Sequence, residues 1–418
     1  MEEINQNSQT SLDFNLDILK PKNEDELQQI IKYCYKKDLP IEIVGARTKN
    51  DIGKKLQCAK VLDMSNISGI VEYKPEELYI TVKAGTSIKT LHDELKKNNQ
   101  HLAFEPTNFS GIFKKNSNEG TVGGTLSCNF SGSRRFKVGS ARDHILGFKG
   151  YNGKGEKIKS GGTVVKNVTG YDLSKLVTGS FGTLLVLSEI TLKVLPLQTD
   201  TKTIIISGLA LEHSIEIMRS AIVSSNDPSG AVFYPESLRS DFVFNDLTHS
   251  GSITAIRVEG TKKSTEQRIN NLFEDLVLAE KKTTILDSNQ SEIFWEDTRA
   301  LKVFSKNGKN LLRAVIPSSE TTNLINRLRI FHPNYFIDWV GSLIWLELDY
   351  LSNQKIDQIR QRILAVGGYL TVIKSTENVR SSCEIFTIDP VKFKISQNLK
   401  KSFDPKRIFN PGKMYTGI

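Results

Sequence analysis

With 418 residues, the chain is longer than a single hydrophobic core usually fills, so two or three domains are expected. A hydrophobic fraction of 38% and a charged fraction of 25% exclude wholesale disorder and a polytopic membrane protein, and no apolar run approaches bilayer length. The formal charge of +9 is spread along the chain, which argues against a nucleic-acid footprint and leaves a lysine-rich solvated surface with a small bias toward anionic ligands.

The first residues, Met1 to Thr10, are polar and acidic with no basic n-region or apolar h-region, so the chain reads as cytosolic, with residues 1–15 a flexible lead. Cys34, Cys58, Cys128 and Cys383 lie far apart, and the histidines show no metal-ligand spacing. Neither a disulfide framework, a zinc site nor an iron–sulfur ligand set is expected, so any iron–sulfur electron acceptor has to be another chain.

Leu16 to Val44 reads as strand, helix and strand. Asn23 suits an N-cap with Glu26 at N3, Leu27, Ile30, Ile31 and Cys34 recur at helical spacing, and Ile41 to Val44 is an apolar strand after Pro40. The turn that follows, Gly45-Ala46-Arg47-Thr48-Lys49-Asn50, carries two cations and a hydroxyl where α/β folds place phosphate-binding loops. Ile70 to Ala84 reads as a hairpin, and Ser87 caps a helix with Ile88, Leu91 and Leu95 on one face.

From Gly120 to Gly147 the chain is poor in core material. It holds the Gly123-Gly124 pair, Gly132, Arg134-Arg135 and the step Gly139-Ser140 before Arg142-Asp143. Adjacent glycines let a backbone approach a flat or anionic group, while the plainer reading is a basic surface loop. Phe148 to Ile158 suggests a hairpin turning at Asn152 to Gly155. A short helix over Tyr171 to Val177 leads to the turn Gly179-Ser180-Phe181-Gly182-Thr183 and an apolar strand, Leu184 to Leu195. Pro196 closes this part.

Beyond Thr199 the pattern alternates as in an α+β domain: strands at Ile204 to Ile206, Ala231 to Phe233, Ile253 to Val258 and Leu343 to Leu348, helices at Leu211 to Val223, Thr265 to Leu278 and Ile356 to Val366. No catalytic constellation stands out there. The tail from Phe403 to Met414 is rigid and turn-rich and is expected to pack on the first domain.

The words T-V-G-G-T-L, G-S-A-R-D-H-I-L-G, V-K-N-V-T-G-Y-D-L-S-K-L, G-S-F-G-T-L and F-D-P-K-R-I-F-N-P-G-K-M stand in an order that resembles the flavin-binding domain shared by vanillyl-alcohol oxidase and p-cresol methylhydroxylase. Within that superfamily the chain is most similar to the family of E-type FAD-binding subunits of bacterial glycolate oxidase. The resemblance covers about Ile18 to Pro196 and Phe403 to Met414. It implies an α+β protein: a two-subdomain FAD-binding domain of the p-cresol methylhydroxylase type over 16–198, an α+β cap over 199–400, and a tail over 401–418 returning to the FAD domain. It implies FAD held by Gly45, Ala46, Arg47, Thr48, Lys49 and Asn50 at the pyrophosphate. Thr121, Val122, Gly123, Gly124, Gly139, Ser140, Asp143 and Gly147 would stand along pyrophosphate, ribitol and ring, and Gly182, Thr183 and Ile190 at the adenosine side. Ala46 and Arg47 occupy positions where glycine is common in the family, and no histidine stands in that loop, so the resemblance implies non-covalent FAD.

The implied function is that of an FAD subunit in a glycolate (2-hydroxy-acid) oxidase complex, with a D-type flavin catalytic subunit and an F-type iron–sulfur subunit as partners. The substrate would be met at the level of the complex, in the cytoplasm or peripherally at the inner membrane through the complex, with no direct membrane insertion. Relatives that oxidise 2-hydroxy acids carry a metal-binding histidine cluster in the cap, whereas here only His213, His249 and His332 lie beyond Pro196. Two alternatives stand: a self-sufficient flavin dehydrogenase using Arg135, Lys166 or Arg380 for a carboxylate, and a flavin-free assembly subunit, for which the altered loop is the main argument.

Overall fold

A computed structural model of the chain describes residues 12–114, 119–163, 171–241, 250–305 and 309–418. Lys166, His249 and the first half of the word beginning at Val165 lie outside these residues.

The N-terminal part is built on two sheets. In the first, strand Lys60–Asp63 lies between Ile18–Leu19 and Ile41–Val44 and runs parallel to both. This central strand is absent from the sequence reading, which placed the outer two strands alone. Helix Glu24–Lys36 covers the sheet, burying Leu27, Ile30, Ile31 and Cys34. Its start follows from local chemistry: Asn23 accepts from Glu26 N at 2.9 Å, while Glu26 reaches one residue further back to Lys22 N at 2.8 Å.

The second sheet is five-stranded and antiparallel. Its order is Ile70–Lys74, Tyr79–Lys83, Val186–Lys193, Ile145–Tyr151 and Lys157–Gly161. Helix Ile88–Lys97, capped by Ser87, packs its Ile88, Leu91 and Leu95 into the core of this sheet.

The stretch from Gly120 to Gly147 corrects the expectation of a core-poor loop. It holds helices Val122–Cys128, Arg135–Val138 and Ala141–His144, and it buries Val122, Leu126, Phe130, Ala141 and Ile145. The glycines of this stretch hide the helical apolar spacing but allow close packing, since a Cβ at Gly123 would come within 3.0 Å of Ala84.

Beyond Asp200 an eight-stranded antiparallel sheet follows. Its order is Lys282–Leu286, Asp200–Ser207, Ile253–Gly260, Gly230–Tyr234, Asn334–Asp338, Leu343–Leu348, Asn310–Val315 and Tyr369–Lys374. The order shows two β-α-β-β-α-β units joined edge to edge. One runs from Asp200 to Leu286 with helices Leu211–Val223 and Lys262–Asp275; the other runs from Asn310 to Lys374 with helices Thr321–Leu328 and Asn353–Leu364. Their second strands meet at Phe233 and Ile337. Helix Lys262–Asp275 begins three residues before the expected Thr265. The last helix, Pro390–Phe403, was not anticipated.

The two parts share one core and one buried ion network. Ile52, Phe109, Phe130 and Phe181 of the N-terminal part belong to the same apolar cluster as Phe336, Trp339 and Trp345. Beside it, Arg134 pairs with Glu105 and Glu259, and Arg257 pairs with Glu105 at 2.8 Å. Burial alone would raise the pKa of both carboxyls, but the two guanidinia hold them below the usual range.

Candidate functional site

Loops from both N-terminal sheets converge with the chain's tail at the C-terminal end of strand Ile41–Val44. The loop leaving this strand turns through Arg47 at φ 57° and carries Thr48 and Lys49 inward. Facing it is Thr121, which caps helix Val122–Cys128 by accepting from Gly124 N at 3.2 Å. A third wall is the turn around Phe181 and Gly182, with Leu185, Val186 and Leu187 as an apolar floor.

The tail clamps these walls together. Asn410 Nδ2 donates to Phe181 O at 2.8 Å, and its Oδ1 accepts from Ile43 N at 2.8 Å, so one side chain ties two loops. The buried Asp404 carboxylate accepts from Ile408 N at 3.0 Å and from Phe409 N at 2.8 Å. It is paired with Lys400, whose Nζ also donates to Thr183 O and Phe409 O, both at 2.7 Å. Every polar atom of this pair's heads has a partner, the condition under which a buried pair is tolerated. The word F-D-P-K-R-I-F-N-P is therefore a scaffold for the loops.

These walls enclose a cavity of about 100 Å³. Two ammonium groups stand in it. Lys49 Nζ has Thr48 Oγ1 and Glu119 O at 3.5 Å, and Lys413 Nζ donates to Asn50 O at 2.6 Å. Among the described residues neither lysine has a carboxylate within ion-pair distance, although both are buried. Burial depresses the pKa of each. Cys128 gives no anion to offset this, since burial pushes its thiol up to about 11 and it is neutral at physiological pH.

The glycines complete the cradle. A Cβ at Gly45 would collide with the Thr121 side chain, and one at Gly182 (φ 68°) would come within 2.8 Å of Asn410 Nδ2. Two buried cations with no ion-pair partner among the described residues, a close-approaching backbone and an apolar floor fit a diphosphate with a flat aromatic group attached.

Of the residues expected from the sequence, Gly45, Ala46, Arg47, Thr48, Lys49, Asn50, Thr121, Gly123, Gly124 and Gly182 line this cavity. Others lie elsewhere. Val122 is in the core of the five-stranded sheet, and so is Ile190, which pairs with Val82 and Phe148. Gly147 pairs with Gly161 in a hairpin, and Ser140 and Asp143 form a capping box after Gly139. Thr183 gives its carbonyl to Lys400. The sequence reading missed Lys413, Asn410 and the floor residues. The first two stand inside a recognised word, but nothing in that word says that they face the loop at Gly45.

A larger cleft of about 690 Å³ lies beside helices Ile88–Lys97 and Ser288–Arg299. Its arginines, Arg134, Arg257 and Arg299, are all paired with carboxylates. Among the described residues no group of three or more His, Cys, Asp or Glu side chains is placed to hold a metal ion, and no helix is long and apolar enough to cross a membrane.

Comparison with known proteins bears on this cradle. Residues 17–161 match the family described as an FAD binding domain. The chain is thus a flavoprotein of the FAD-dependent oxidoreductase class, with FAD as its cofactor and the p-cresol methylhydroxylase type of α+β fold.

Over 381 residues it is 29% identical to glycolate oxidase subunit GlcE of Escherichia coli (strain K12), covering 91% of this chain and 93% of that one. It is 23% identical to glycolate oxidase subunit GlcD of Bacillus subtilis (strain 168), over 95% of this chain and 88% of the other. It is also 23% identical to a D-lactate dehydrogenase of Archaeoglobus fulgidus, over 96% and 91%. Among solved structures, alkyldihydroxyacetonephosphate synthase shares the fold with a TM-score of 0.67 at 15% identity, over 94% of this chain and 75% of that one.

Proposed function

We propose that this chain is the FAD-binding subunit of a glycolate oxidase complex, supporting oxidation of glycolate to glyoxylate. The observation that carries the reading is the likeness to GlcE, which spans nearly the whole of both chains. In this reading 16–198 is the FAD domain, 199–400 the cap and 401–418 the tail. The partners are a D-type flavin subunit, which oxidises the acid, and an F-type iron–sulfur subunit that accepts electrons. The assembly sits peripherally at the inner membrane.

FAD, when bound, supplies a hydride acceptor that can also release electrons singly. Lys49 and Lys413 would neutralise its pyrophosphate, with Thr48 and the backbone from Gly45 to Asn50 donating around it. Leu185, Val186 and Leu187 would exclude water from the adenosine end. Asn410 ties strand Ile41–Val44 to the turn at Phe181, which fixes two walls of the cradle relative to each other. FAD would be held non-covalently.

The test is the visible flavin spectrum of the FAD-loaded chain under anaerobic glycolate, alone and then with the D-type subunit. The reading expects the flavin to stay oxidised alone and to bleach when the D-type subunit is added. Bleaching by the chain alone, or none in either case, would overturn it.

A further inference from the structure

Two further cations, at the seam between the flavin half and the cap, have no ion-pair partner among the described residues. Arg313 lies on cap strand Asn310–Val315, and Arg135 opens the short helix Arg135–Val138 of the flavin half. Both guanidinia stack on one indole: Arg135 lies 4.6 Å and Arg313 5.0 Å from the Trp339 ring centroid. Arg313 also lies 5.5 Å from the Phe130 ring and 5.9 Å from the Trp345 ring. Among the described residues neither guanidinium has a hydrogen-bond acceptor or a salt-bridge partner. By contrast, Arg134, next to Arg135, is fully paired.

Two like charges on one ring repel, and partial burial sharpens the cost. Burial, then Arg135, pulls Arg313 down to about 9, so it is still charged at neutral pH. Asp338, the carboxyl that acts on Arg313, has both oxygens engaged, Oδ1 by Trp339 N at 2.7 Å and Oδ2 by Ser133 Oγ at 2.8 Å; Asp143, the carboxyl that acts on Arg135, accepts at Oδ2 from Ser140 N at 2.8 Å and from Ser140 Oγ at 2.9 Å. The backbone here is also strained: Trp339, Val340 and Gly341 have φ of 51°, 58° and 99°, and a β-branched valine in that region is uncommon. Strain of this kind collects where a site has to be held in shape.

We propose that Arg313 and Arg135 form a binding site for a small carboxylate anion, walled by Trp339, Trp345 and Phe130. The planar fork of an arginine matches a carboxylate edge, and the aromatic walls hold the fork in place. The site is one aromatic layer from the flavin cradle, since Phe130 packs against Phe181, which lines the cradle. The choice of glycolate as the probe rests on the proposed function; the anion site itself does not.

The chain has three tryptophans, and two of them flank Arg313. Titrating the FAD-loaded chain with glycolate should therefore shift tryptophan emission saturably, while glycolamide, the neutral isostere, should not. Arg313→Met should weaken binding at least tenfold, and Arg313→Lys should fall between it and the wild type. No saturable response to glycolate, an equal response to glycolamide, or unchanged affinity in Arg313→Met would each overturn the assignment. If neither variant folds, the glycolate–glycolamide contrast in the wild type decides. The readout needs no turnover and no partner, so it can succeed where the glycolate oxidase reading fails, for instance if another small carboxylate binds more tightly.

Discussion

The network of Glu105, Arg134, Arg257 and Glu259 and the cradle of Lys49 and Lys413 both bury two cations, and they differ in one respect. In the network each guanidinium meets a carboxylate supplied by the fold, partly from across the seam. In the cradle the fold supplies hydroxyl and carbonyl oxygens at the lysine heads, and its carboxylates, Glu42 and Glu119, act on Lys413 and Lys49 only from beyond ion-pair distance. A buried charge with its counter-charge in place is architecture; a buried charge without one marks where a ligand's charge belongs.

If that distinction holds, breaking the network should cost stability. Glu105→Ala would leave Arg134 and Arg257 to share the one carboxylate of Glu259 in a dry seam, and a loss of about 3–5 kcal/mol is expected, read as a large fall in the unfolding midpoint. Little change would mean that the seam is wetter than its burial indicates.

A smaller effect is expected from Asp338, a buried carboxyl with no strong cation on it, which burial pushes up to about 7. The folded chain binds this proton more tightly than the unfolded chain does. Its contribution to stability is therefore full below pH about 4, near the unfolded pKa, and is lost as pH rises through 7. Asp338→Asn keeps an acceptor for Trp339 N and gives Ser133 a donor. It should flatten the stability profile across this window and raise stability above it, by on the order of 2–4 kcal/mol. Melting temperatures of both proteins across that range check this, and parallel curves would refute the burial argument.

The sequence displayed some of this and concealed the rest for physical reasons. The loop at Gly45 drew notice because a strand runs there into small, hydroxylated and basic residues, and the structure brings that loop to the wall of the cavity. Lys413 was illegible in its role, because its partner loop lies more than 360 residues away and only the Asn410 clamp brings the two together. The paired β-α-β-β-α-β units do not repeat in sequence, as each helix needs only an apolar face and each strand only β-formers. Strand Lys60–Asp63 is four residues long, two of them charged, and draws its stability from being flanked on both sides. Ile190, expected at the adenosine side, lies in the core of the five-stranded sheet, and an apolar strand reads alike whether it faces an adenine or a core.

The two lysines are tested most directly by FAD titration of the apo chain in wild type, in the Lys49→Met, Lys413→Met double variant and in Lys263→Ala, on the exposed face of helix Lys262–Asp275, as a control. Each lost charge-assisted contact is worth roughly 1.5–3 kcal/mol, so the double variant should bind FAD at least about 100-fold more weakly. Its apo melting temperature should not fall, since two buried charges without ion-pair partners have been removed, and Lys263→Ala should stay close to wild type. FAD affinity in the double variant equal to that of the wild type would contradict the account.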